Sequence, residues 1–114
     1  MITQKINHPA FGKVTLEYKR GQYGNGRLAL MLTHAEDNLP FCVLTVNLPD
    51  DNLEEHEFFV KGWSENEFIA NLLRNGTHFI DTGKRVPTGH VVAEVWKFRE
   101  PHMTDLITDV NARR

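Results

Sequence analysis

From Lys13 the apolar and polar residues alternate. Val14, Leu16 and Tyr18 fall on one side and Thr15, Glu17 and Lys19 on the other, the period of a strand with one face buried. The run GQYGNG at 21–26 then reverses the chain, with Asn25-Gly26 suited to positive φ. Leu28, Leu30 and Leu32 resume the alternation as a partner strand. A polar turn over His34 to Pro40 leads to Phe41–Val46, which is apolar on both faces and therefore predicts a central strand. Short strands follow at Phe58–Val60 and His78–Asp81. Thr82 to Gly89 reads as a loop with Lys84 and Arg85 at its tip, and Val91 to Phe98 as a final long strand. Residues 1–12 carry little pattern and include Pro9 and Gly12, which predicts a loose entry segment.

The period changes at Ser64. Phe68, Ile69, Leu72 and Leu73 form one helical stripe. Ser64 and Glu67 have capping-box spacing, Trp63 and Phe68 that of a hydrophobic staple, and Gly76 stands where a left-handed residue ends a helix. About 10 residues make a helix only about 15 Å long, too short to persist alone, so it must lie on the sheet. Beyond Pro101, the spacing of Met103, Leu106, Ile107 and Val110 predicts a second amphipathic helix, or a tail, within 99–114. An exposed stripe there could pair two chains as a homodimer. The expected fold is a single α+β domain over 1–114: an antiparallel-rich sheet of five to six strands, one packed helix and a C-terminal helix or tail.

Composition narrows the function classes. A chain of 114 residues with 40% hydrophobic and 25% charged positions can bury a core without staples. The net charge of −2 gives no general pull toward nucleic acid or anionic membrane. MITQKINHP lacks an apolar signal core and no run reaches spanning length, so a cytoplasmic location is expected. The single cysteine, Cys42, lies within FCVLTV and reads as a buried, inert thiol.

Residue chemistry offers little for catalysis. Asp81-Thr82-Gly83 has the residues of an aspartic-protease loop, but only 31 residues follow it and Lys84 stands where a small residue is expected; a turn after a short strand is the better reading. The six histidines show no metal-ligand spacing, although His78 and His90 could be neighbours in space if their strands pair. No catalytic residue, metal or cofactor is assigned.

Charge is more informative. Asp50, Asp51, Glu54, Glu55, Glu57, Glu65 and Glu67 place seven of the fifteen acids within eighteen residues. The first six are the candidate partner-binding surface, if loop and helix start lie side by side; the plain alternative is solvation and helix-dipole compensation. A second candidate set, Tyr23, Trp63, Lys84, Arg85 and His90, gathers aromatic and polar groups at turns, where ligand sites are commonly built.

In that order and at these distances, YGNGRLAL, LTVNLPD, EFFVKGWSENE and DTGKRVPTGHV resemble a family of short uncharacterised bacterial domains carried on phages, plasmids and integrative elements. The likeness spans Val14 to Phe98 and implies a gene on mobile DNA, with no catalytic residue to transfer. Small proteins of such elements often bind host machinery, including defence nucleases such as CRISPR or restriction enzymes. The leading expectation is therefore a non-enzymatic interaction module with a host or element-encoded protein as partner. The alternative is a small-molecule or nucleotide-binding domain.

Overall fold

A computed structural model describes residues 2–110. The described residues form eight strands in two sheets, mostly antiparallel, with one short helix; the strand count exceeds the five to six expected. Strands β1 (Thr3–His8), β2 (Gly12–Gln22), β3 (Leu28–His34) and β4 (Pro40–Val43) lie side by side in chain order. The second sheet runs β5 (Glu57–Val60), β7 (Val91–Phe98), β6 (Phe79–Thr88). Between the helix (α1, Glu67–Leu73) and the last strand (β8, Thr108–Asp109) the chain makes one further helical turn, α2 (Met103–Leu106).

The segment read as one central strand is divided. β4 stops at Val43, and residues 44–46 bridge the sheets: Leu44 N–H bonds Leu30 O, Lys61 N–H bonds Leu44 O, and Thr45 pairs with Val60. Thr45, 4% exposed, is drawn in because its hydroxyl accepts Leu30 N–H at 3.1 Å and meets the Tyr23 hydroxyl at 3.0 Å. The buried Thr45 hydroxyl and the Leu44 amide and carbonyl of this link thus all have partners, as burial demands.

The entry segment expected to be loose over 1–12 forms a strand from Thr3 to His8. β1 pairs along β2 from Thr3↔Glu17 to His8↔Gly12, with Ile6 buried. Gln4 interrupts the apolar alternation there, and its side-chain oxygen faces the buried Tyr18 hydroxyl at 3.5 Å.

The helix also begins differently. Ser64 has φ +56° and makes no cap; residues 64–66 form a tight 3-10 turn, and α1 starts at Glu67. The cause is Asn66, 1% exposed, whose amide donates to Val43 O at 2.6 Å and pins the turn against β4. Ile69, Ala70 and Leu73 enter the core, while Leu72 is 47% exposed. Asn75, not Gly76, takes the left-handed position at φ +56°, and its side chain accepts Asp81 N–H.

The expected loop at 82–89 is strand. β6 continues through it by bulging three residues, Thr82 to Lys84, opposite Val95. Gly83 supplies φ +87°, and the Thr82 hydroxyl donates to Val95 O at 2.7 Å in place of a ladder bond. His78 and His90 consequently lie at opposite ends of β6. After α2 the chain leaves the helical path because β1 covers β2 only as far as Glu17. Beyond it Thr108 and Asp109 pair in parallel with Lys19 and Arg20, and Arg20 bonds both Asp109 and Ile107 O. Met103 and Ile107 are buried in the chain's own core, so the predicted stripe is split, with Leu106 and Val110 outside.

One apolar cluster joins both sheets and the helix. Phe79 is its hub: its ring lies 5.5–5.7 Å from those of Tyr18, Phe58, Trp96 and Phe98. Cys42 packs against this cluster, and burial pushes its thiol up to about 12, which keeps it protonated and unreactive.

Candidate functional site

The acidic stretch is only partly a surface. Lys84, thrown outward by the β6 bulge, reaches Glu54 at 2.8 Å and Glu57 at 2.9 Å, tying loop to strand. Glu57 also accepts Glu54 N–H. Arg27 fixes the same loop from beneath: it donates to Leu48 O and Asp51 O with its guanidinium 5.6 Å above the Phe59 ring. Asp50 and Glu55 remain exposed and Asp51 half-buried, with His56 3.5 Å from Glu55. Glu65 is held by Lys61 at 2.6 Å, at the far end of β5 from Glu57. Four residues of strand separate the ends by about 13 Å. The six acids are thus not one face: four sit on the loop, Glu57 opens β5 beside them, and Glu65 stands apart.

The second candidate set is not assembled. The Tyr23 hydroxyl is engaged by Thr45, Lys84 by Glu54 and Glu57, and Arg85 by Asp81 at 2.8 Å. Trp63 precedes the 3-10 turn, and His90 is exposed at the β6–β7 turn. None of the five lines any of the four best-formed clefts among the described residues.

Asp81 belongs to a network that argues against proton-sharing chemistry. Arg85 grips both its oxygens, Arg74 grips both of Glu94's at 2.7 Å, and Trp96 Nε1 donates to Glu94. The Arg85 hydrogen bonds hold the Asp81 carboxyl below its usual range. Burial works to raise Glu94, but Arg74, Trp96 and Arg85 outweigh it and the net shift is also downward. A protease dyad needs one carboxyl kept protonated by a like neighbour; these are ionised and salted to arginines. Among the described residues, no three histidine, cysteine or carboxylate side chains are placed to hold a metal ion. No helix is long and apolar enough to cross a membrane.

The feature the sequence did not single out is the opposite end of the first sheet. The β1–β2 hairpin, the β3–β4 turn and α1 converge there around His8, whose Nδ1 accepts Ala10 N–H at 3.0 Å. Phe11 stacks on the His8 ring at 4.6 Å and 28°, while Phe68 and Phe41 meet it edge-on at 5.4 and 6.0 Å. Phe41 also meets His34 edge-on. Phe11 is 67% exposed and Leu39 59%. The β3–β4 turn is rigid: Ala35 N–H bonds Thr15 O, His34 N–H bonds Leu39 O, Leu39 N–H bonds Asp37, and Lys19 holds Asn38 at 2.8 Å. Beside Phe11 lies an open cleft of about 620 Å³, walled by Lys13, Thr15, His34 and Glu36. The available sequence signal was a set of aromatics next to turn residues, Phe11 after Pro9 and Phe41 after Pro40. Six residues of β3 separate this end from the acidic loop near Leu28, about 20 Å.

Compared with known proteins, the chain matches no family model, no curated protein and no solved structure.

Proposed function

We propose that the domain is a non-enzymatic protein-interaction module whose contact centre is the aromatic end, with Asp50–Glu57 as a second, acidic contact. The observation that supports this most is Phe11: a large apolar ring held open to solvent by a stacked histidine behind it and a hydrogen-bonded hairpin around it. Rigid, exposed aromatics lose little entropy on docking and are typical interface anchors. The likeness of YGNGRLAL and the motifs after it to domains of mobile elements directs the search for a partner to host proteins, including CRISPR and restriction nucleases, which the module would inhibit. A nucleotide pocket built from Tyr23, Trp63, Lys84, Arg85 and His90 lacks comparable support, because those side chains share no cleft.

The test is capture of a partner from bacterial lysate by immobilised wild-type and variant protein. Removing a central aromatic anchor costs about 2 kcal/mol or more, roughly 30-fold in affinity, so Phe11→Ala should lose the partner. Its thermal midpoint should move by no more than about 2 °C, because the ring is largely outside the core. Reversing charge at Asp50 and Glu55 should give a smaller loss that shrinks with added salt. Undiminished capture by Phe11→Ala would remove the aromatic end from the proposal.

A further inference from the structure

Resting on that reading, we infer that the cleft beside Phe11 receives an arginine side chain of the partner protein, stacked on the open ring face and paired with Glu36. Phe11 is stacked on His8, is 67% exposed and lines the cleft. A planar cation is the group that gains most from an exposed aromatic face, and guanidinium does so better than ammonium because it is more weakly hydrated. Glu36 stands on the same cleft, and among the described residues it makes no ion pair. It is therefore free to accept a forked, charge-assisted pair of hydrogen bonds. Its neighbour Asp37 spends an oxygen on Leu39 N–H and adds negative potential without competing for the cleft. Lys13 forms part of the same lining, where its charge repels a cation and turns the incoming guanidinium toward Glu36. The Ala35–Thr15 bond holds the turn that carries Glu36 against β2, so the pairing group is positioned before the partner arrives.

The charges also weigh against the other ligand a cleft of this kind suggests, a nucleotide with its base on Phe11 and its phosphate on Lys13. Its phosphate would share a small volume with Glu36 and approach Asp37.

The experiment titrates N-acetyl-arginine amide into isotope-labelled protein and follows backbone amide shifts, with the lysine and glutamate analogues and thymidine monophosphate as parallel probes. The arginine probe should give saturable shifts at Phe11, Lys13, Ala35 and Glu36 in the millimolar range. The lysine analogue should bind several-fold more weakly, and the glutamate analogue should not saturate. Phe11→Ala should abolish the arginine shifts, Glu36→Gln should weaken them about fivefold or more at low salt, and Lys13→Ala should leave them equal or stronger. Tighter binding of the nucleotide at these amides, or no saturation by the arginine probe up to tens of millimolar, would overturn the inference. Loss of partner capture in Phe11→Ala together with full capture in Glu36→Gln would discard the arginine and leave the interaction module standing.

Discussion

Phe79→Ala is expected to be the most damaging single substitution in the chain, costing about 4 kcal/mol. The ring is fully buried among those of Tyr18, Phe58, Trp96 and Phe98, from β2, β5 and β7, so no one neighbour can move to fill the space. Domains of this size have about 5–15 kcal/mol to lose, and at about 4 °C per kcal/mol the thermal midpoint should fall by about 15 °C. Thermal unfolding followed by near-ultraviolet circular dichroism, which reports the same aromatic cluster, would check it. A fall of only a few degrees would mean that the two sheets do not depend on this contact. Phe79→Leu, which refills most of the volume, should recover more than half of the loss.

The second large effect is expected at Glu94. Its carboxylate receives two bonds from Arg74 and one from Trp96, and its side chain is 14% exposed. Glu94→Ala leaves a fully buried indole N–H and a three-quarters-buried guanidinium without their acceptor, a defect of about 3 kcal/mol. Asp81 cannot replace it, being 3.9 Å from Arg74 and already held by Arg85. The same network fixes a pH dependence. Asp81 and Glu94 both titrate lower in the folded chain than in the unfolded one. Their contribution is therefore complete above the unfolded-state carboxylate range, near pH 4, and is lost as pH falls through the depressed folded values. Urea midpoints between pH 7 and about pH 2 should drop steeply in the wild type at the acid end and less so in Glu94→Gln, which has already forfeited its share. Parallel curves for the two proteins would assign the acid sensitivity elsewhere.

Both effects arise in regions where the sequence was only half legible. The alternation of Val14, Leu16 and Tyr18 and of Leu28, Leu30 and Leu32 named the central hairpin, because a strand with one wet face writes its period in hydrophobicity. The period fails where an inward position, half-buried at Gln4 and buried at Thr45, is polar but satisfied. Gln4 serves Tyr18, and Thr45 serves Leu30 and Tyr23, so β1 and the link between sheets were hidden. Local rules were overruled by distant partners at Ser64, where the Asn66 amide anchors to Val43, and at Gly83, where turn-like residues form a bulge that keeps the strand going. Acid clustering was readable, as was its offset by Lys61 four residues before Glu65, but compensation by Lys84 was not, since its pairings span 27 and 30 residues. The aromatic end was unreadable for a similar reason: His8, Phe11, His34, Phe41 and Phe68 come from two separate turns and a helix, and only folding collects them.

The parallel pairing of Lys19 with Thr108 closes a loop that contains most of the chain. Closure entropy grows with loop length, and it is repaid by a two-residue ladder, the Arg20 bonds and the burial of Met103 and Ile107. All of these form only once the rest of the fold is in place, so this tail should dock late and open first. During synthesis it can seat only after residues as far as Asp109 have left the ribosome. Until then the cavity meant for Met103 and Ile107 stays wet, and the nascent domain lacks its final seal.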